Sequence, residues 1–447
     1  MTLYRDFGEE FPDLPRPESV YARLDTVEPD PLVSEESELV FLDAIHADFI
    51  DHENISRRSI EEDMFDELVS ILELRGASAW DFVSNRKEPN GSIWFKIVFG
   101  QGDVEVLQYL NLFAGGIERR AQARMCDAST SKRLDDLLSL DDYPDADVDD
   151  IGIAIDVLGD IGAAVYDVGQ GNCNAIVNDQ GQPLLYYDFG GGVIGHSSTY
   201  RTGLSQFCFS QTPAIVMSHW DWDHWSSALR IRSNTHRAAR GPVYSDAMKA
   251  TWIVPRQNKS LGAVHRGFLA KLSSVLVWPT SLKSVMNGPV TIHKCLGPVS
   301  NRNHSGLAMT HHPRWAVGDG VLFTGDCDYK YLPPSCSTTS GFESVIVTHH
   351  GGPVSPTSTI PMPVGSSSYC RLCYSFGAGN TYGHPVRATM TKHHGVGWSA
   401  TDERNTDNRS TMANGHSSGH IILSPTSTPT GSTRCGLRYC DTGYTQK

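Results

Sequence analysis

Past Gly162 the chain repeats one phrase, a run of four or five strand-forming residues that stops at Gly, Asp or His. "AAVYDVGQG", "PLLYYDFGGG", "TPAIVMSHWDWDH", "GVLFTGDCD" and "ESVIVTHHGG" all follow it. Each run predicts a short buried strand. A polar side chain at the exit of a rigid strand is held in fixed geometry, so the pattern predicts a sheet fold that delivers Asp and His to fixed positions at strand ends.

The densest of these exits is "SHWDWDHW", Ser218–Trp225, where two histidines and two aspartates fall within six residues. It stands in an ordered series: "DVGQGNCNAI" at Asp167–Ile176, Asp188 of "YYDFGG", H-x-D-x-D-H at His219–His224, "TGD" ending at Asp326, and "HHGG" at His349–Gly352. "GAGNTYGHP" at Gly377–Pro385, then "SATDERN" and "GHIIL", continue it. Together these motifs resemble the metallo-β-lactamase fold, and within it the hydrolase domain of ComEC-type DNA-uptake proteins. The resemblance spans roughly residues 161–423. It implies an α/β fold, the αββα sandwich, and a hydrolase that uses two divalent metal ions, Zn or Mn.

Carried onto this chain, the resemblance implies specific roles. His219 and Asp221 would converge on one cation while Asp223 and His224 face a second. Asp326 would bridge the two, and one of His349 and His350 would complete the second position. Imidazole and carboxylate ligands suit both Zn and Mn, and Asp221 in place of the second His of the commoner H-x-H-x-D-H tilts the choice toward Mn. "SNRNHSGLAMTHH" offers His304 just before an apparent strand, either as a further ligand or as a surface or outer histidine. Asp188 would orient a histidine or the attacking water, and Asp223 and His384 complete the catalytic set, with His384 on the phosphate or the leaving group. Two ions would generate a hydroxide and clamp the oxygens of an in-line displacement at phosphorus.

Charge narrows the substrate. Residues 1–160 hold 37 Asp and Glu against 14 Lys and Arg, whereas residues 161–447 hold 14 against 23. The chain, net −14 overall, therefore joins a part of net −23 to one of net +9. From Arg230 to Lys271 run nine cations, Arg230, Arg232, Arg237 and Arg240 among them, with Trp225, Tyr244, Trp252 and Phe268 interleaved. Cations beside aromatic rings predict a groove that tracks a nucleic-acid backbone; a solvated basic face over core aromatics is the other reading. Asn380 and Tyr382 of "N-x-Y-x-H-P" are further expected substrate contacts. The leading expectation is a nuclease with little sequence preference. A small-molecule phosphodiesterase (cyclic nucleotide or phosphorylcholine-type ester) and a non-catalytic interaction protein are the alternatives.

The remaining chain predicts organisation rather than chemistry. An acidic domain is expected over residues 1–134, as an α+β or mainly helical unit that could recruit a protein partner. In it "SIEEDMFDELVSILELRG" places Ile60, Met64, Phe65, Leu68, Ile71 and Leu72 at a helical period, and "SIWFKIVFGQGDVEVLQYLNLF" reads as strands. Ten aspartates over 135–160 predict an extended or loosely helical linker. A hydrolase domain at 161–423 and a Ser/Thr/Pro-rich tail at 424–447 follow. Cys370 and Cys373 form a lone C-x-x-C in a strand-like run, where residues three apart face opposite sides, so structural thiols are expected. No apolar run is long enough for a membrane span, and "MTLYRDFGEE" lacks the parts of a signal peptide, which together predict a cytoplasmic location.

Overall fold

The structure, a computed structural model, describes residues 17–29, 38–51, 68–74, 93–109, 116–193, 199–201, 207–229, 246–258, 261–336, 340–365, 369–377, 380, 382–407, 419–424 and 444–446. It divides into two compact units. Unit 1 is Met1–Tyr143 with Asn258–Lys271, and unit 2 is Pro144–Gln257 with Leu272–Lys447. The α-helices among the described residues are α1 (Ala47–Asp51), α2 (Ala128–Leu138), α3 (Val148–Ala154), α4 (Ala263–Ala270) and α5 (Arg387–Gly395). No described helix is long and apolar enough to cross a membrane.

Unit 1 is a β structure. Its strands are β1 (Ser19–Pro29), β2 (Glu38–His46), β3 (Val69–Leu74), β4 (Trp94–Tyr109) and β5 (Ile117–Met125), paired in sequence order. β1 also pairs with β4, which closes the first four strands into a small barrel. Alternation in β2 sends Val40, Leu42 and Ala44 to the core, where they meet Leu72, Phe95 and Ile97. The expectation of an α+β or mainly helical domain is thus corrected. Ile71 and Leu72, placed on a helix by their period, lie in β3, all six of whose residues are buried. A continuous apolar run satisfies a helical period and a strand buried on both faces equally well. The earlier part of that expected helix, residues 59–67, lies outside the described residues.

The aspartate-rich stretch 135–160 holds the end of α2 and all of α3. Three of its carboxylates have partners nearby: Asp142 pairs with Arg266, Asp141 accepts from Asn258 Nδ2 at 2.6 Å, and Asp145 pairs with Arg256 at 2.8 Å. Asp147 caps α3 by accepting from Asp149 N.

Unit 2 holds two sheets. The first contains β6 (Asp160–Val165), β7 (Cys173–Asn178), β8 (Pro183–Phe189), β9 (Ala214–Val216), β10 (Thr251–Pro255) and β11 (Ser274–Trp278). The second contains β12 (Ser284–Asn287), β13 (Val290–Lys294), β14 (Leu307–His311), β15 (Val321–Phe323), β16 (Ser344–Ile346), β17 (Arg371–Tyr374) and β18 (Glu403–Asn405). β19 (His420–Leu423) and β20 (Tyr444–Gln446) return to the first, whose order is β11-β10-β9-β8-β7-β6-β19-β20. Val165, Ile176 and Val216 of one sheet share a core with Ile292, Phe323 and Ile346 of the other. The opposite side of the second sheet buries Leu322, Val345 and Leu372 in a separate cluster. Cys373 joins the first core and Cys370 the second, opposite faces as the spacing predicts, and both are free thiols.

The αββα expectation is overturned. The protein is mainly β, 37% strand against 21% helix, with three sheets and a small closed barrel. Outer helical layers need long amphipathic helices, and unit 2 offers only α3 and α5, of 7 and 9 residues, among its described residues. The segments after the metal-type motifs are single 3-10 turns instead, such as Trp222–His224 and Thr348–Gly351.

Candidate metal centre

The candidate ligands gather because their strands run the same way. β8 pairs parallel with β9, and β15 with β16 and then β17, so their carboxyl ends share an edge of each sheet. Asp188 ends β8, Ser218–His224 follow β9, Asp326 follows β15, His350 follows β16, and Ser375–His384 follow β17. Glycines let the loops close. A Cβ at Gly190 would lie 1.6 Å from the Asp223 carbonyl oxygen, and Asn172 N donates to that same oxygen at 3.0 Å. The "DVGQGN" and "DFGGG" motifs are therefore the floor on which the H-x-D-x-D-H loop rests.

Two histidines have their tautomers fixed from behind. His224 Nδ1 donates to Asp188 Oδ2 at 2.8 Å, and His350 Nδ1 donates to the Ser375 carbonyl at 2.8 Å. Each ring thus turns an Nε2 lone pair toward the centre. Asp188 is held in turn by Ser218, whose N and Oγ donate to it at 2.7 and 2.9 Å. His224 Nε2 lies 3.2 Å from Asp326 Oδ1 and 3.6 Å from Asp223 Oδ1; His350 Nε2 lies 3.1 Å from Asp223 Oδ2 and 3.7 Å from Asp326 Oδ1. Two ligands on one ion with bonds of ~2.0–2.1 Å stand about 3.4 Å apart, close to these four separations, while Asp223 and Asp326 belong to different convergent groups. None of His224 Nε2, His350 Nε2 and Asp326 Oδ1 has a hydrogen-bond partner although all are buried. Buried polar atoms in that state are costly unless something satisfies them, and a cation would.

Electrostatics agrees with that fit. Burial opposes charge on His224, yet Asp326, Asp188 and Asp223 outweigh it and hold its pKa well above the ordinary value. His350 is raised too, Asp326 and Asp223 overcoming burial. Burial likewise works against the Asp326 carboxylate, but His224, His349 and His350 hold it well below the usual range. The site as built favours positive charge at its middle.

The other expected residues are placed as follows. His219 Nδ1 lies 2.9 Å from Ser218 Oγ, and its Nε2 lies 3.0 Å from Asp221 Oδ2 and 3.9 Å from Asp326 Oδ2. The convergent atoms form two overlapping groups, His219–His224–Asp326 and Asp223–His224–His350, and Asp221 belongs to neither. It is ion-paired with Arg302, a buried arginine that motif reasoning passed over, and that pairing together with His219 keeps its carboxyl low despite burial. His304 stacks on Tyr331 at 4.7 Å, and its Nδ1 accepts from Asp328 N at 3.4 Å, outside both groups. His349 is partly exposed, with Nε2 3.7 Å from Asp326 Oδ2.

His349 and His350 both adopt positive φ, as does Asp188. Only one other described non-glycine residue does so, so the backbone strain concentrates at this site. His384 sits at its edge, 5.3 Å from the His349 ring and stacked at 6.3 Å on that of His350. A Cβ at Gly352 would lie 2.9 Å from His384 Nε2, so the glycine admits the ring. Asn380 acts on the backbone, accepting from His384 N at 3.0 Å and donating to the Gly377 and His384 carbonyls. Tyr382 stacks on His384 at 5.4 Å.

The expected polyanion groove fares differently. Arg230, Arg232, Arg237, Arg240, Tyr244 and Lys259 lie outside the described residues. Of the rest, Trp225, Trp252 and Phe268 are fully buried core residues and offer no stacking surface. Lys249 pairs with Asp246, Arg256 with Asp145, and the buried Arg266 with Asp142. Comparison with family models, curated proteins and solved structures finds no match for this chain.

Proposed function

We propose that this protein is a divalent-metal-dependent phosphodiester hydrolase whose centre is Asp223, His224, Asp326 and His350. The observation that carries the reading is the pair of imidazoles locked by Nδ1 donation to Asp188 and Ser375, with unpartnered Nε2 atoms facing two carboxylates. A divalent ion bound there would polarise a phosphoryl oxygen and make water a competent nucleophile near neutral pH. The chain's own residues do the rest. Asp188 and Ser218 hold His224 in place, and Asn380 fixes the turn that carries His384. As water oxygen bonds to phosphorus and releases its proton to solvent, the P–O bond to the leaving group breaks and the departing oxygen takes a proton. His384, buried at the rim against His350, is placed to give it.

A nucleic-acid substrate read without sequence preference suits the net +9 of residues 161–447. Among the described residues, Trp225, Trp252 and Phe268 are buried and offer no stacking surface to a single strand, which favours a small phosphodiester as the second reading. Turnover of single-stranded DNA, duplex DNA, RNA, a cyclic nucleotide and bis-p-nitrophenyl phosphate, each with added Mn or Zn and after chelation, tests both. Activity on none of them with either metal removes the hydrolase reading. Activity on the small esters alone removes the nuclease one.

A further inference from the structure

We propose that Arg302 serves as the second cation of this centre, its guanidinium standing on Asp221 where a second metal ion would otherwise be ligated. One ion is then held by Asp223, His224, His350 and Asp326. The inference rests on the metal-dependent reading above and specifies the cations of that same site.

Three observations carry it. Asp221 Oδ1 is ion-paired with Arg302 and its Oδ2 lies 3.0 Å from His219 Nε2, so a guanidinium already offsets the charge of this carboxylate. The two convergent groups share His224, and Asp221 belongs to neither as long as it is paired with Arg302. His304, the residue that could have completed the first position, is turned onto Tyr331 and Asp328.

Arg302 is also built in rather than draped over the site. It is 8% exposed, and its carbonyl accepts from the buried Gln257 Nε2 at 2.7 Å. The same amide donates to Ser305 Oγ at 2.8 Å, and Ser305 N donates to the Asn301 carbonyl at 3.0 Å. The turn that bears the guanidinium is therefore pinned from below. A planar guanidinium matches two phosphoryl oxygens and stays charged at any working pH, so it can meet the charge developing on a phosphodiester where a second ion would. Unlike an ion, a chelator cannot remove it.

The test is metal content of the full-length protein, stripped with EDTA, dialysed against MnCl2 and freed of excess metal, with the Mn(II) paramagnetic resonance spectrum recorded alongside. The wild type should bind about one equivalent with a mononuclear spectrum, and Arg302→Ala, by freeing Asp221, should bind about two with an exchange-coupled signal. Asp221→Asn and Arg302→Lys should both stay at about one, which keeps the test decisive if the alanine variant fails to fold. Two equivalents in the wild type, one in Arg302→Ala, or loss of the ion from Asp221→Asn would each overturn the proposal. A wild type that binds none would instead remove the metal-dependent reading on which it rests.

Discussion

Both units bury a cluster of aspartate and histidine, and the two clusters behave oppositely. In unit 1, Asp43 accepts from Val264 N at 3.1 Å, His265 Nδ1 accepts from Gly262 N at 3.0 Å, and His265 Nε2 faces Asp25 at 3.8 Å. In unit 2, His224 Nε2, His350 Nε2 and Asp326 Oδ1 converge without hydrogen-bond partners. The charge balance differs as well. Burial lifts the Asp43 carboxyl because His265 alone does not offset it, whereas three histidines carry Asp326 down past the same penalty. Residue type does not separate a structural Asp–His cluster from a ligand set. What separates them is whether the lone pairs end on the protein or point at one another.

The comparison breaks most visibly at Asp326. Asp326→Ala should remove bound metal and take diester turnover to background, while Asp43→Ala in unit 1 should leave both unchanged, as read by metal content and chromogenic turnover. An Asp326→Ala protein with full metal content and wild-type turnover would erase the distinction.

Acid should separate the clusters from the scaffold that holds them. Burial pushes His293 and His393 of unit 2 down to about 4, so both are neutral in the fold. Between pH 6.5 and 4 the unfolded chain binds more protons at these positions, so stability is fully present above 6.5 and is lost as pH falls toward 4. Each contributes at most about 3 kcal/mol. Denaturant melts at pH 7 and pH 4.5 measure it, and His393→Gln should flatten the dependence. An unchanged midpoint would mean that these rings do not stay neutral in the fold.

Asp188 lies between ligand and scaffold. Asp188→Ala should keep the fold but weaken metal affinity by roughly 10–100-fold, since His224 loses the acceptor that fixes its tautomer. A titration showing wild-type affinity would reassign Asp188 to the merely structural class that Asp43 represents. The smallest effect is expected at Asp43 itself. Asp43→Ala uncaps α4 and should cost about 0.5–2 kcal/mol of unit 1 stability, read by chemical denaturation.

The site was more legible in the sequence than the fold around it. Asp188, Asp223, His224, Asp326 and His350, singled out through the resemblance and their places at strand exits, come close together because parallel pairing gathers such exits. His350 differs from His349 through the Ser375 carbonyl, which holds its Nδ1 from 25 residues away in sequence and which no local pattern shows. The Arg302–Asp221 pair was invisible because it depends on contacts far apart in sequence, with Gln257 beneath the arginine and Asp221 across from it. Only part of the basic run falls on described residues. Trp225, Trp252 and Phe268 read as surface aromatics beside cations, but strand and turn packing took them inside, and Arg266 found Asp142. In the N-terminal part, apolar spacing gave no means of telling a helix from β3.

The segment that carries α4 has a consequence in time. Unit 1 needs Asn258–Lys271, since Arg23 donates to the Leu261 carbonyl, Asp43 caps α4 and Asp142 pairs with Arg266. On a ribosome, everything up to Tyr143 emerges first, and more than a hundred residues of unit 2 follow before that segment appears. At ~5–20 residues per second the barrel waits on the order of 10 s for its last piece. During that interval the barrel strands β1–β5 are complete, but the partners of Arg23, Asp43 and Asp142 on the α4 segment have not yet been made.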